Sequence, residues 1–172
     1  AIREEIVTST AVYVGRDGNL LEDLAENCQV LKIRQPIMSN TDMPKLRELK
    51  SGRLKTAVLP ITYYKSARLE RAIEQLFVEV DKAYRDGAAI LILSDRGVDE
   101  NHVAIPSLLA VSAVHQHLGQ TRRRTAMSVV LESGEPRNVH HFAALLGYGA
   151  SAVNPYLALE TVGQLREEHM LD

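Results

Sequence analysis

Seven residues carry the side chains with most chemistry to offer: Asp95, Arg96, Glu132, Glu135, Arg137, His140 and His141. Five of them crowd one stretch, ESGEPRNVHHFAALLGYGA at 132–150. Metal binding is the first chemistry to weigh. His140 and His141 are adjacent on a predicted helix, so their rings diverge by about 100° and do not grip one ion together. His115 and His117 lie about 200° apart by the same arithmetic. A helical chelate needs histidines at i and i+4, as in H-E-x-x-H, and that spacing is absent. A site joining His140 to Glu132 or Glu135 through the loop stays open, and no metal is expected.

Acid–base catalysis is the second chemistry, because Asp95, Arg96, Glu132, Glu135 and Arg137 all fall at predicted strand ends, where they could converge in one cleft. The competing reading is structural. Glu135, beside Pro136, suits a helix N-terminus, and Arg137 can pair with a neighbouring carboxylate. The structural reading is preferred. An anion at the ESGEPR turn is a third option, since backbone amides near a helix start attract negative charge. Neither a Walker motif nor G-x-G-x-x-G is complete, however, and Glu132 and Glu135 would repel a phosphate. Nucleophilic catalysis has least support, because Ser133 stands in E-S-G and not in G-x-S-x-G, and Cys28 lies outside the predicted core.

These residues are positioned by a repeating strand–turn–helix pattern from residue 56 onward. TAVLPI (56–61) is a strand, and the helix after it carries Leu69, Ile73, Leu76, Phe77, Val80 and Tyr84 on one stripe. Ser66 is placed to cap that helix and Gly87 to end it. AAILILSD (88–95) is an unbroken apolar run, expected for a strand covered on both faces. IPSLLAVSAVHQHLG (105–119) is the next helix, with Pro106 early and Gly119 at its end. MSVVLES (127–133) leads to EPRNVHHFAALLG (135–147), which Gly147 should terminate. ASAVN (150–154) leads to PYLALETVGQLREEHM (155–170). Four such units predict an α/β fold with a parallel sheet, an incomplete barrel or Rossmann-like arrangement, whose carboxyl edge is the place for function. Residues 1–55 lack the rhythm and read as a connecting or wrapping segment beside a core at 56–172.

The chain has 172 residues, 45% hydrophobic and 24% charged, with a formal charge of -2. That balance offers no basic excess for nucleic acid or an acidic membrane. Arg122, Arg123 and Arg124 form a short basic cluster that reads as a solvated loop. One cysteine, Cys28, excludes an intrachain disulfide and a thiolate cage, and fits a reducing cytoplasm. No run of about 20 apolar residues is present to span a bilayer. The start, AIREEIV, reads as though cut from something longer.

Several long motifs then become familiar: S-D-R-G-V at 94–98, E-S-G-E-P-R at 132–137, H-H-F-A-x-L-L-G-Y-G-A at 140–150 and N-P-Y-L-A at 154–158. With IREEIVTS, GNLLED and CQVLKIRQPI before them in order, they resemble the central domain of glutamate synthase large subunits over essentially the whole chain. The resemblance implies a parent with an N-terminal amidotransferase domain that releases ammonia from glutamine through a cysteine nucleophile. It also implies a flavin barrel with FMN and an iron–sulfur cluster that makes glutamate from 2-oxoglutarate, supplied with electrons by a reductase subunit or ferredoxin. The central domain would join these two and help enclose an ammonia channel. The amidotransferase cysteine and the cluster-ligating cysteines are missing here, so no catalytic or cofactor-binding residue is carried over. The segment alone is expected to be inactive, with the seven residues above as structural or interface contacts. A free-standing α/β enzyme, or an anion-binding module, is the alternative.

Overall fold

The computed structural model describes residues 9–19, 21–50 and 52–171; the AIREEIV start lies outside them. A four-stranded parallel sheet organises the chain, in the order β3-β5-β7-β8. Its strands are β3 (Thr56–Pro60), β5 (Ile90–Ser94), β7 (Ser128–Glu132) and β8 (Ala152–Asn154). The connecting helices are α2 (Leu69–Arg85), α3 (Ser107–Gln120) and α4 (Val139–Gly147), and α5 (Tyr156–Glu167) follows β8.

Every residue of β5 and β7 is buried, and alternation explains how. Successive strand residues point to opposite faces. Leu91, Leu93, Val129 and Leu131 face the helices, where they meet Leu76, Val80, Val114, Leu118 and Leu145. Ile90, Ile92, Val130 and Ala152 face the other way and pack on Val14, Met38, Met43 and Leu46. That second cover comes from the N-terminal segment. It contains an antiparallel pair, β1 (Val12–Val14) with β2 (Leu31–Ile33), and a short helix α1 (Asp42–Arg47). The segment also protects the outer edge of β8, since Val153 N–H donates to Pro36 O at 2.8 Å and Met38 N–H donates to Val153 O at 2.9 Å.

A second antiparallel pair, β4 (Thr62–Tyr64) with β6 (His102–Ala104), rises from the carboxyl edge. No sequence pattern announced it, because three-residue strands are too short to show a period. Its flanking residues Ile61 and Ile105 close the helix-side core.

Several helix ends differ from expectation. Helix α2 starts at Leu69, with Arg68 and not Ser66 at the N-cap position, and no side chain caps it. Gly87 does follow its end, with φ +81°. Gly119 lies inside α3, and Arg122 takes the left-handed conformation beyond it. Gly147 is the last residue of α4, as expected, and Gly149 adopts φ +116° after it. There a side chain is sterically forbidden: a Cβ would stand 2.3 Å from His115 Nδ1.

Within the basic cluster Arg122 is exposed, as expected of a solvated loop, but Arg123 and Arg124 are engaged. Arg123 donates to Asp81 at 2.6 Å and lies over the Tyr84 ring. Arg124 donates to His115 Nδ1 at 2.9 Å and to the carbonyls of Met127 and Gly149. The two arginines brace α2, α3 and the β7 approach because buried carbonyls and a half-buried acid need donors there.

Candidate functional site

At the carboxyl edge the register aligns Ser94 with Glu132 and Glu132 with Asn154. These three continue the pleat of Ile92, Val130 and Ala152, so they project to the side covered by the N-terminal segment. The next residues, Asp95 and Ser133, turn toward the helices. One acidic edge is thus divided by the pleat into two separate clusters.

In the first cluster Glu132 is the centre, with its side chain only 3% exposed. Its Oε2 accepts from Ser94 Oγ and from Arg47 Nη2, the last residue of α1. Its Oε1 accepts from Arg96 Nε at 2.9 Å. The Arg96 guanidinium lies 3.9 Å from the Tyr156 ring centroid, which holds it flat. Burial works against the charge of Arg96, but the hydrogen bond and charge of Glu132 outweigh it and raise its pKa above the ordinary value. Asn154 donates to Met38 O and Asn40 Oδ1, both at 2.9 Å. Beside these groups lies a cavity of about 400 Å³ whose lining includes Arg47, Arg96, Glu132 and Asn154.

In the second cluster Asp95 Oδ2 accepts from Ser133 Oγ at 2.7 Å and from the Gly134 amide at 2.9 Å. Ser133 Oγ also lies 2.7 Å from Ser107 Oγ, and the Glu135 amide donates to Ser133 Oγ at 3.0 Å. Asp95 Oδ1 is buried with no hydrogen-bond partner among the described residues. Burial, followed by the neighbouring Asp95 carboxylate, pushes the Tyr156 phenol up to about 12.

The seven residues singled out in the sequence therefore do not share one cleft. Arg96 and Glu132 meet in the first cluster, and Asp95 lies in the second. Glu135, Arg137, His140 and His141 line a second cavity of about 420 Å³ between the start of α3 and α4. Glu135 does serve a helix N-terminus, but that of α3: its Oε2 accepts from Ser107 N–H at 3.1 Å. Helix α4 is capped instead by Asn138, whose Oδ1 accepts from the His141 amide at 3.1 Å. Arg137 is exposed and forms no ion pair among the described residues; its amide donates to His141 Nδ1 at 3.2 Å. The charge pairing expected of Arg137 is performed by Arg47 and Arg96. Among the described residues no three His, Cys, Asp or Glu side chains gather to hold a metal. Anion binding at the ESGEPR turn is blocked by the chain itself, since Asp95 and Ser133 already occupy the Gly134 and Glu135 amides.

Sequence reading missed Arg47, Ser94, Ser107, Asn154 and Tyr156. Tyr156 and Asn154 stand in the quoted N-P-Y strand end and Ser94 in S-D-R-G-V, so position pointed to them. Arg47 gave no signal, being 85 residues from Glu132 in the chain.

A parallel α/β domain with a polar cavity on its carboxyl edge, its second sheet face covered by an N-terminal segment, is the class these features define. The chain belongs to the glutamate synthase central domain family, whose model matches residues 1–172. It is 44% identical to the glutamate synthase (NADPH) large chain of Bacillus subtilis (strain 168) over 172 residues, all of this chain and 11% of that protein. It is 38% identical to glutamate synthase (NADH) of Saccharomyces cerevisiae over 175 residues, 99% of this chain and 8% of that protein. To ferredoxin-dependent glutamate synthase 2 of Synechocystis the identity is 40% over 169 residues, 95% of this chain and 11% of that protein. The chain thus spans about a tenth of the length of these relatives.

Proposed function

We propose that this chain is the inter-domain structural segment of a glutamate synthase. In that role it links a glutamine amidotransferase domain to an FMN-binding synthase domain and helps enclose the channel for ammonia between them. The parent reaction converts glutamine, 2-oxoglutarate and two reducing equivalents into two glutamates, with electrons from a reductase subunit or ferredoxin. The observation that supports a structural role is the internal engagement of Glu132. It accepts from Ser94, Arg47 and Arg96, while Asp95 accepts from Ser133 and Gly134 through Oδ2 alone. A general base needs a lone pair aimed at substrate, and Glu132 has committed both oxygens internally.

The parent's cofactors do not fit this chain. An iron–sulfur cluster takes about four cysteine thiolates, and only the exposed Cys28 is present. The FMN phosphate needs free backbone amides, whereas those of the strand-end turn are engaged. Both groups belong, on this reading, to other domains of the parent. A cytoplasmic location is part of the same proposal, supported by the single cysteine.

The test is to incubate the purified chain with glutamine, 2-oxoglutarate and a reductant, with and without added flavin. No glutamate should form. Turnover by this chain alone would overturn the proposal in favour of a self-sufficient enzyme.

A further inference from the structure

The cavity beside Glu132 holds more positive charge than its carboxylate neutralises. Arg47 spends Nη2 on Glu132 and Arg96 spends Nε, yet each guanidinium carries five N–H donors. The rest have no hydrogen-bond acceptor among the described residues. Both side chains remain reachable, 32% exposed for Arg47 and 45% for Arg96. Glu160 approaches Arg96 only at 3.6 Å and from solvent. The same cavity is also lined by Met43, Val58 and Pro60, which are apolar. Its volume of about 400 Å³ is that of a small-ligand pocket, and it lies at the carboxyl edge of the strands, where open α/β sheets bind ligands.

We propose that this cavity binds a small aliphatic monocarboxylate. Its carboxylate would take the free donors of Arg47 and Arg96, and its hydrocarbon body would cover Met43, Val58 and Pro60. Among the lining residues two cations face one buried carboxylate, and Glu160 at 3.6 Å offsets Arg96 from the solvent side, so the site takes no more than a single negative charge. A phosphate dianion would exceed that charge, face Glu132 and gain nothing from the apolar wall. Arg96 is already anchored by Glu132 and the Tyr156 ring, which reduces the ordering left to be done on binding. This site is separate from the inter-domain proposal, because its occupancy is read on resonances and not on turnover.

The test is an NMR titration of the isotopically labelled full chain with sodium butyrate, using butyramide and sodium chloride as controls. Butyrate should produce saturable shifts in the Nε–H signals of Arg47 and Arg96 and in the amides of Ser94 to Arg96. Butyramide and chloride should not. Arg96→Gln should weaken butyrate about tenfold, equivalent to about 1.4 kcal/mol. No saturable shift up to about 10 mM, beyond a millimolar dissociation constant, would overturn the proposal. So would an equal response to butyramide, or shifts confined to other surfaces. The titration of the unaltered chain decides the matter even if Arg96→Gln does not fold.

Discussion

The pairing of Glu132 with two arginines makes a prediction about additivity. Replacing Arg47 by Met keeps the apolar stem but removes one cation, leaving Glu132 with Arg96 and Ser94. Replacing Arg96 by Met leaves Arg47 and Ser94. A hydrogen bond to a charged group contributes about 1.5–3 kcal/mol, and the partial exposure of both arginines reduces that. Each single variant should therefore cost about 1 kcal/mol. The double variant leaves a carboxylate that is 3% exposed with a hydroxyl as its only partner, and an uncompensated buried charge costs about 3–5 kcal/mol. The double loss should thus exceed the sum of the singles by about 1 kcal/mol or more. Loss of the Arg96–Tyr156 contact appears in both arms of the cycle and cancels. Urea unfolding at neutral pH measures all four corners, provided the denaturant slope is unchanged. Adding Glu132→Gln to the double variant removes the stranded charge and should restore part of the loss. Additivity within about 0.5 kcal/mol, the behaviour of independent sites, would refute a buried charge that needs either arginine.

Three further outcomes are expected. Gly149→Ala should destabilise by about 2–3 kcal/mol, because a Cβ meets the His115 ring at a φ that favours glycine; an unchanged melting temperature would contradict the geometry. Glu135→Ala removes the acceptor for the Ser107 amide and should cost about 1 kcal/mol in thermal unfolding, as loss of a helix cap does; a neutral result would show that water serves as well. His115 is pushed below its ordinary value of 6.5 by burial, then by the charge of Arg124. The unfolded chain therefore binds the proton more readily, so this stability is present above about 6.5 and is lost as pH falls toward the folded value. NMR titration of His115 at or above 6.5 would refute that sign.

The parallel core was legible because burial on both faces leaves a run such as Ala88 to Leu93 without polar interruption. Strand–helix alternation then restricts the topology to few choices. Helix ends were read less well. Gly119 was assigned to termination, yet its helix runs on to Gln120; the next helix does end at Gly147, and the left-handed positions fall beyond both ends, at Arg122 and Gly149. The choice depends on tertiary packing around His115 and Arg124, which propensity does not contain.

By itself the sequence determined that the chain is α/β, that its polar residues collect at the strand ends and that its motifs are those of the glutamate synthase central domain. Those properties are local, or follow from period and order. Only the tertiary structure decided how the polar residues are divided. The two-residue pleat sends Glu132 to one side of the sheet and lets Asp95 turn to the other, while Arg137, His140 and His141 line a separate cavity. It also decided that Glu132 is held by Arg47, from a segment without visible periodicity. A contact across 85 residues leaves no mark in either stretch alone; it exists because the open sheet face needed an apolar cover, and the helix supplying that cover ends in an arginine.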